Sequence, residues 1–236
     1  MIWIIFVIFL ISLFIKYIYE LHSINYNASL IQVQDPNEIT ISELLNHKSP
    51  LLIYNLISKY SDLLEININT LITNNPGYII KDNNKNISLS SFGEENVKQM
   101  YILDNENMIN DFNLKPIFDT IIHIFNNNLS CNITHQLSIL KGDNSLTLSQ
   151  NKHNIQLFIQ LSGKTNFYIF NPKHKNDIIN KTNKEIKKWS IQINLKPGVL
   201  LSIPTNWYYM YEINSESILC SSYSDNYFTW PYNIFR

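Results

Sequence analysis

Residues 147–172, TLSQNKHNIQLFIQLSGKTNFYIFNP, and residues 197–209, PGVLLSIPTNWYY, decide the fold. They hold short runs rich in Ile, Leu, Tyr and Phe at 145–149, 154–161, 165–170, 199–203 and 206–213. The same pattern recurs at 132–140, 190–195 and 216–223. Such runs, bounded by Gly, Pro, Asn and Ser, read as strands. Upstream the pattern differs. Thr40 and Glu43 form a capping-box signature ahead of ELL, which predicts a short helix starting near 41. Pro50 stops it, and LLIY enters as a strand. In LKPIFDTIIHIF, 114–125, Ile117, Phe118, Ile121, Ile122 and Phe125 fall at helical spacing, so this segment should pack on the sheet as a helix. Eight short strands after several helices predict a mainly β domain: a double-sheet jelly roll over about 132–224 with flanking N-terminal helices. The Lys-rich stretch 174–188 reads as a solvated helical insert, and 20–37 as a polar linker.

Aligned without gaps, the two opening segments resemble the metal-bearing strands of the cupin-like JmjC hydroxylases. In that family the first segment reads T-x-x-H-x-D, then a Gln, a Gly-x-Lys hairpin and a strand ending in Pro. Thr147, Gln160, Gly163, Phe170 and Pro172 fall on that framework. Pro197, Gly198, Ile203, Pro204 and Trp207 fall on the framework of the second segment. The resemblance implies a double-stranded β-helix, the cupin barrel, built to hold Fe(II) and 2-oxoglutarate. It also implies that the metal ligands are gone: the His, Asp and distal His positions carry Gln150, Lys152 and Tyr209. A non-haem iron site needs two imidazoles and a carboxylate on one face. A neutral amide, an ammonium and a phenol do not supply that set. The co-substrate lysine position falls at Thr165, with Lys164 beside it, and Thr147 keeps a 2-oxoglutarate contact. Thr147, Gln160, Thr165 and Trp207 are therefore the pocket candidates. No catalytic residue, metal or cofactor is expected.

An oxygenase with unconventional ligands is the alternative. A bulge at His153 would turn its ring inward, and with His135 and Asp143 it would make a displaced set for Fe(II) and 2-oxoglutarate in a protein hydroxylase. A cupin that binds a carbohydrate or small molecule at the barrel mouth is a third reading.

Residues 2–15, IWIIFVIFLISLFI, form an apolar run broken only by Ser12 and continuing through Lys16 to Tyr19. Eighteen residues of helix reach roughly 27 Å, enough for a thin bilayer if Lys16 snorkels to the interface. Trp3, Tyr17 and Tyr19 sit where interfacial aromatics belong. The expectation is an uncleaved single-pass anchor over 1–19 in a viral or host membrane. Lys16 on the domain side favours a cytoplasmic domain over 38–236.

A net charge of −1 over 236 residues gives no electrostatic pull toward nucleic acid. Asn occupies 34 positions and Gly only five, a spelling in AT-rich codons such as those of large DNA viruses or some protists. That density makes the sequons at Asn27, Asn86, Asn128, Asn132 and Asn180 expected by chance. Two cysteines, Cys131 and Cys220, are too few for a disulfide framework. The aromatic end, with Tyr227, Phe228, Trp230, Tyr232 and Phe235, should cover one end of the barrel, the other use being a dimer or protein contact.

Overall fold

The computed structural model describes residues 2–22, 24–82, 85–94, 99–126, 130–213, 215–227 and 229–230. Helix α1 (Ile2–His22) comes first. Strand β1 (Ile31–Gln34), helix α2 (Glu38–Leu45) and strand β2 (Leu51–Tyr54) follow, then helices α3 (Ser61–Leu64) and α4 (Ile68–Asn74). A small ribbon pairs β3 (Ile79–Asp82) with β4 (Lys85–Ser88), and β5 (Met100–Asn105) leads into α5 (Glu106–Asp111) and α6 (Lys115–His123). The rest is chiefly strand: β6 (Ser130–Lys141), β7 (Asn144–Ser145), β8 (Ser149–Gln150), β9 (Ile155–Ser162) and β10 (Thr165–Phe170). After the short helices α7 (Lys175–Ile178) and α8 (Asn183–Ile186) come β11 (Ile191–Leu195), β12 (Leu200–Pro204), β13 (Tyr208–Ile213) and β14 (Ser217–Asn226).

The long sheet runs β1-β2-β12-β9-β14-β6-β5, and the shorter one β11-β10-β13-β7, with β8 also on β13. From β6 to β14 neighbouring strands pair antiparallel, and the chain crosses repeatedly between the sheets: β6, β9, β12 and β14 lie in the long one, and β7, β8, β10, β11 and β13 in the short one. Phe158, Leu201, Ile203 and Leu219 of the long sheet meet Phe167, Ile169, Leu195 and Tyr211 of the short one, with Trp207 among them. The result is mixed helix and sheet around two stacked sheets with open edges, not the closed, mainly β barrel expected. The first reason lies in the N-terminal half: β2 and the edge strands β1 and β5 widen the long sheet.

Helices cover the outer face of the long sheet. Ile41 of α2, Leu63 of α3 and Phe118 and Ile122 of α6 pack on Leu137, Ile139, Leu157 and Ile159. Each such side chain contributes about 1.5–3 kcal/mol by leaving water. The 114–125 helix is thus found, as α6. Helix α2 starts earlier than the Thr40 signal suggested, because Asn37 caps it by accepting from the Thr40 amide.

The stretch read as a linker and the one read as a solvated insert each also make contacts with the sheets. Within the 20–37 linker, β1 pairs in parallel with β2. Within the 174–188 insert, Ile178 and Ile186 are buried against Phe170, Tyr208 and Met210, so α7 and α8 shield the outer face of the short sheet. Isolated Ile residues in a Lys-rich run were the signal. Of the aromatic end, Tyr227 and Trp230 are exposed, whereas Thr229 is buried and donates its amide to Asn226 Oδ1. Phe228, Tyr232 and Phe235 lie outside the described residues, as does the Asn128 sequon.

Side chains at 3–16 of α1 are described, and nearly all are exposed, Trp3 at 79%. Among the described residues, no helix is long and apolar enough to cross a membrane.

Left-handed backbone is needed at several turns. Five of the non-glycine residues with positive φ are asparagines: Asn55, Asn113, Asn132, Asn180 and Asn206. Asn tolerates this region because its short amide bonds locally. Gly163, between β9 and β10, has φ +76°, and a Cβ there would meet the Glu216 carbonyl oxygen at 2.1 Å.

Candidate functional site

A cavity of about 240 Å³ opens between the two sheets. The long sheet supplies Gln156 and Phe158 from β9, Ser221 and Tyr223 from β14, and Asp104 and Gln136 from its far edge. The short sheet supplies Tyr209 and Tyr211, while Thr147, Ser149 and His153 come from the β7–β9 connection.

The register explains which side chains arrive. On β13, Tyr209 stands opposite Ser149 and Tyr208 opposite Gln150. Side chains alternate along a strand, so Ser149 and Tyr209 share the inner face, and Gln150 goes with Tyr208. Gln150 instead donates to the Asn206 carbonyl at 3.3 Å. Lys152 is exposed. Of the three degenerate metal positions, only Tyr209 lines the cavity, so the convergence of Gln150, Lys152 and Tyr209 does not occur. The cause is Asn151: buried, it donates to the Ile203 carbonyl at 2.8 Å and accepts from the His153 amide at 2.8 Å, which sets the phase of the segment.

The pocket candidates also part company. Thr147 lines the cavity, but Gln160 and Thr165 lie in the interior around Ser217. Gln160 Nε2 donates to the Ser162 carbonyl, to Ser217 Oγ and to the Ile218 carbonyl, where the β9–β14 register slips. It fills a bulge. Trp207 is buried in the core between the sheets.

Gln156, 7% exposed, donates to the Tyr209 hydroxyl at 2.9 Å, and its Oε1 has no partner. Burial pushes the Tyr209 phenol up to about 12, the Gln156 bond opposing this and the Asp104 charge adding to it. Burial and the same charge raise Tyr211. Tyr223 is raised by burial first, with Asp104 a lesser cause. Asp104, whose backbone is left-handed at φ +51°, is itself raised by desolvation against a lowering bond from Ser138. The residue as a whole is exposed, and it lines the cavity.

His153 stacks on Tyr223 with ring centroids 3.9 Å apart and meets Asp225 through Nδ1 at 3.1 Å. Asp225 is fully buried. Burial acts to raise its pKa, but the His153 bond and charge, with Asn132 and Thr229, lower it overall. Polar residues at 156 and 160 in an otherwise apolar strand were a legible signal for Gln156; Asp104 and Asp225 had none.

The displaced metal set is not assembled. His135 points away from the cavity, between the long sheet and α6, bonding Ser222 Oγ at 2.8 Å and Asp119 at 2.9 Å. Asp143 is exposed on the β6–β7 turn. Among the described residues, no three His, Cys, Asp or Glu side chains could hold an ion together. Ser222, His135 and Asp119 have the composition of a hydrolytic triad, but Ser222 is 2% exposed and out of reach of a substrate.

His135 instead has a pH consequence. Burial lowers its pKa, with Asp119 opposing. The folded state therefore binds its proton less readily than the unfolded chain, whose imidazole titrates near 6.5. Its share of stability is intact above about pH 6.5 and declines on acidification toward the lowered folded value. Urea midpoints across pH 5–8 should show this slope, and His135→Gln should reduce it; an unchanged slope counts against the assignment.

A larger cavity, about 370 Å³, lies beside α2 and the ends of β12 and β14. Its lining is neutral amides, hydroxyls and apolar side chains apart from Lys48, so the smaller cavity holds the chemistry. No family model matches the chain, and no curated protein does.

Proposed function

We propose that the chain is a JmjC-type, cupin-like jelly-roll domain that has lost iron chemistry, is held at a membrane by α1, and binds a ligand through the mouth between its sheets. The observation that carries this reading is the inner face at the mouth: Thr147, Ser149, Gln156 and Tyr209 stand there. Neutral hydroxyls and an amide recognise polar ligands and are poor donors to a divalent transition metal. The repeated crossing of β6 to β14 between two stacked sheets, with antiparallel pairing throughout that stretch, supports the jelly-roll assignment. The all-round exposure of Ile4, Phe6, Phe9, Leu10 and Phe14 supports the anchor, since such a helix needs an apolar environment. Its AT-rich spelling suits a viral membrane protein.

Two measurements test this. Ferrous or manganous ion should leave the melting temperature of the native chain unchanged; a rise of several degrees would favour the oxygenase, because an ion stabilises only a native site. Ser149→His with Tyr209→His should create a cross-strand zinc or nickel site, whereas Gln150→His with Tyr209→His should not, as those side chains leave opposite faces. For the anchor, the full chain should remain in the membrane fraction after alkaline carbonate washing and be released when residues 1–22 are deleted. Recovery of the full chain in the wash would rule the anchor out.

A further inference from the structure

We infer that the cavity between the sheets takes a small primary alkylammonium, held by the Asp104 carboxylate among the rings of Tyr209, Tyr211 and Tyr223. This rests on the reading of the mouth as a ligand site and adds the ligand class.

Charge comes first. Among the described residues no Lys or Arg lines the cavity, and the ionisable side chains there besides the phenols are Asp104 and His153. Burial raises the Asp104 pKa and the Ser138 bond lowers it. A carboxylate in a confined, partly dry wall favours a positive partner.

Hydrogen-bond capacity narrows the class. Gln156 donates its Nε2 to the Tyr209 hydroxyl and so fixes that phenol in the cavity wall, while its own Oε1 is sealed from the cavity. His153 directs Nδ1 at Asp225 and stacks on Tyr223, which holds that ring in the wall. The Asp104 carboxylate and the hydroxyl oxygens of Thr147 and Ser149 thus offer acceptors in the lining, and a primary ammonium carries three donors. A quaternary ammonium has none, and an anion would meet the Asp104 charge. The rings supply the remaining attraction: Phe158 and three tyrosines line the cavity, and aromatic faces attract cations. Drug-sized ligands usually occupy 300–1,000 Å³ or so. At about 240 Å³ this space suits an amine of about four carbons.

Calorimetric titration of the full chain in detergent at pH 7.5 tests the inference with butylammonium, tetramethylammonium, 1-butanol and butyrate. Butylammonium should bind at one per chain, tetramethylammonium more weakly, and the neutral and anionic probes not at all. Asp104→Asn, which keeps a residue tolerant of positive φ, should weaken butylammonium at least tenfold. Gln156→Met should weaken it several-fold and gives a second reading if the first variant misfolds. Butanol or butyrate binding as tightly as butylammonium, or an Asp104→Asn protein binding it unchanged, would overturn the ammonium assignment and leave the mouth a binding site. Silence from all four probes with folded protein would overturn the ammonium assignment and count against the mouth as a small-ligand site.

Discussion

Gly163→Ala should cost about 3–5 kcal/mol of unfolding free energy and shift the urea midpoint accordingly, a large part of the roughly 5–15 kcal/mol that holds a domain together. Two effects combine. The left-handed backbone at φ +76° is strained for any residue with a Cβ, by about 1–3 kcal/mol. The new methyl would also lie 2.1 Å from the Glu216 carbonyl oxygen and 2.9 Å from Ser217 Cα. Both are backbone atoms, so no side chain can swing aside, and β14 must move where it enters the long sheet. Gly77 provides the comparison: its φ is +80°, but nothing lies within 4 Å of a Cβ there. Gly77→Ala should therefore show the conformational cost alone, near 1 kcal/mol. Equal losses at the two positions would show that β14 does not approach the β9–β10 turn as described.

The second large effect is at Asp225. Asp225→Ala should lose about 3 kcal/mol at pH 7, because a buried carboxylate bonded to His153 and Asn132 is removed and its partners are left in a confined site. Asp225→Asn keeps the shape and should lose about half as much. The acid limb gives an independent check. The folded pKa lies below the ordinary carboxylate value, so this stabilisation is complete above about pH 4 and disappears as pH falls through the lowered value. The gap between the wild-type and Asp225→Ala urea midpoints should be constant above about pH 4 and narrow steadily as the pH is taken below it. A gap that held constant there too would mean that Asp225 acts through packing rather than charge.

The strands were legible because their signal is local. Runs of Ile, Leu, Tyr and Phe between turn residues place β9, β10, β12 and β13 within a residue or two of their observed ends. Sheet membership was not, because β1 and β5 owe their strand character to a neighbour's edge rather than to their own pattern. Site residues were least accessible. Ser149 and Gln150 are both polar and adjacent; which of them faces Tyr209 depends on Asn151 reaching the Ile203 carbonyl 52 positions away. A one-residue change of phase exchanges the two faces of a strand, and spacing along the chain carries no record of it. Asp104 enters the cavity because the β5–β6 register slips between Ile102 and Asn105, again a tertiary event.

The asparagines at left-handed turns bear on kinship. A turn such as that at Asn206 or Asn180 can be spelled with glycine at no conformational cost. A genome richer in G and C would drift toward that spelling, and the backbone would not register the change. Descendants of one ancestor can thus diverge at their turns while keeping every strand in place. For a chain with 34 asparagines and five glycines, distant kin are better sought by superimposing backbones than by comparing letters.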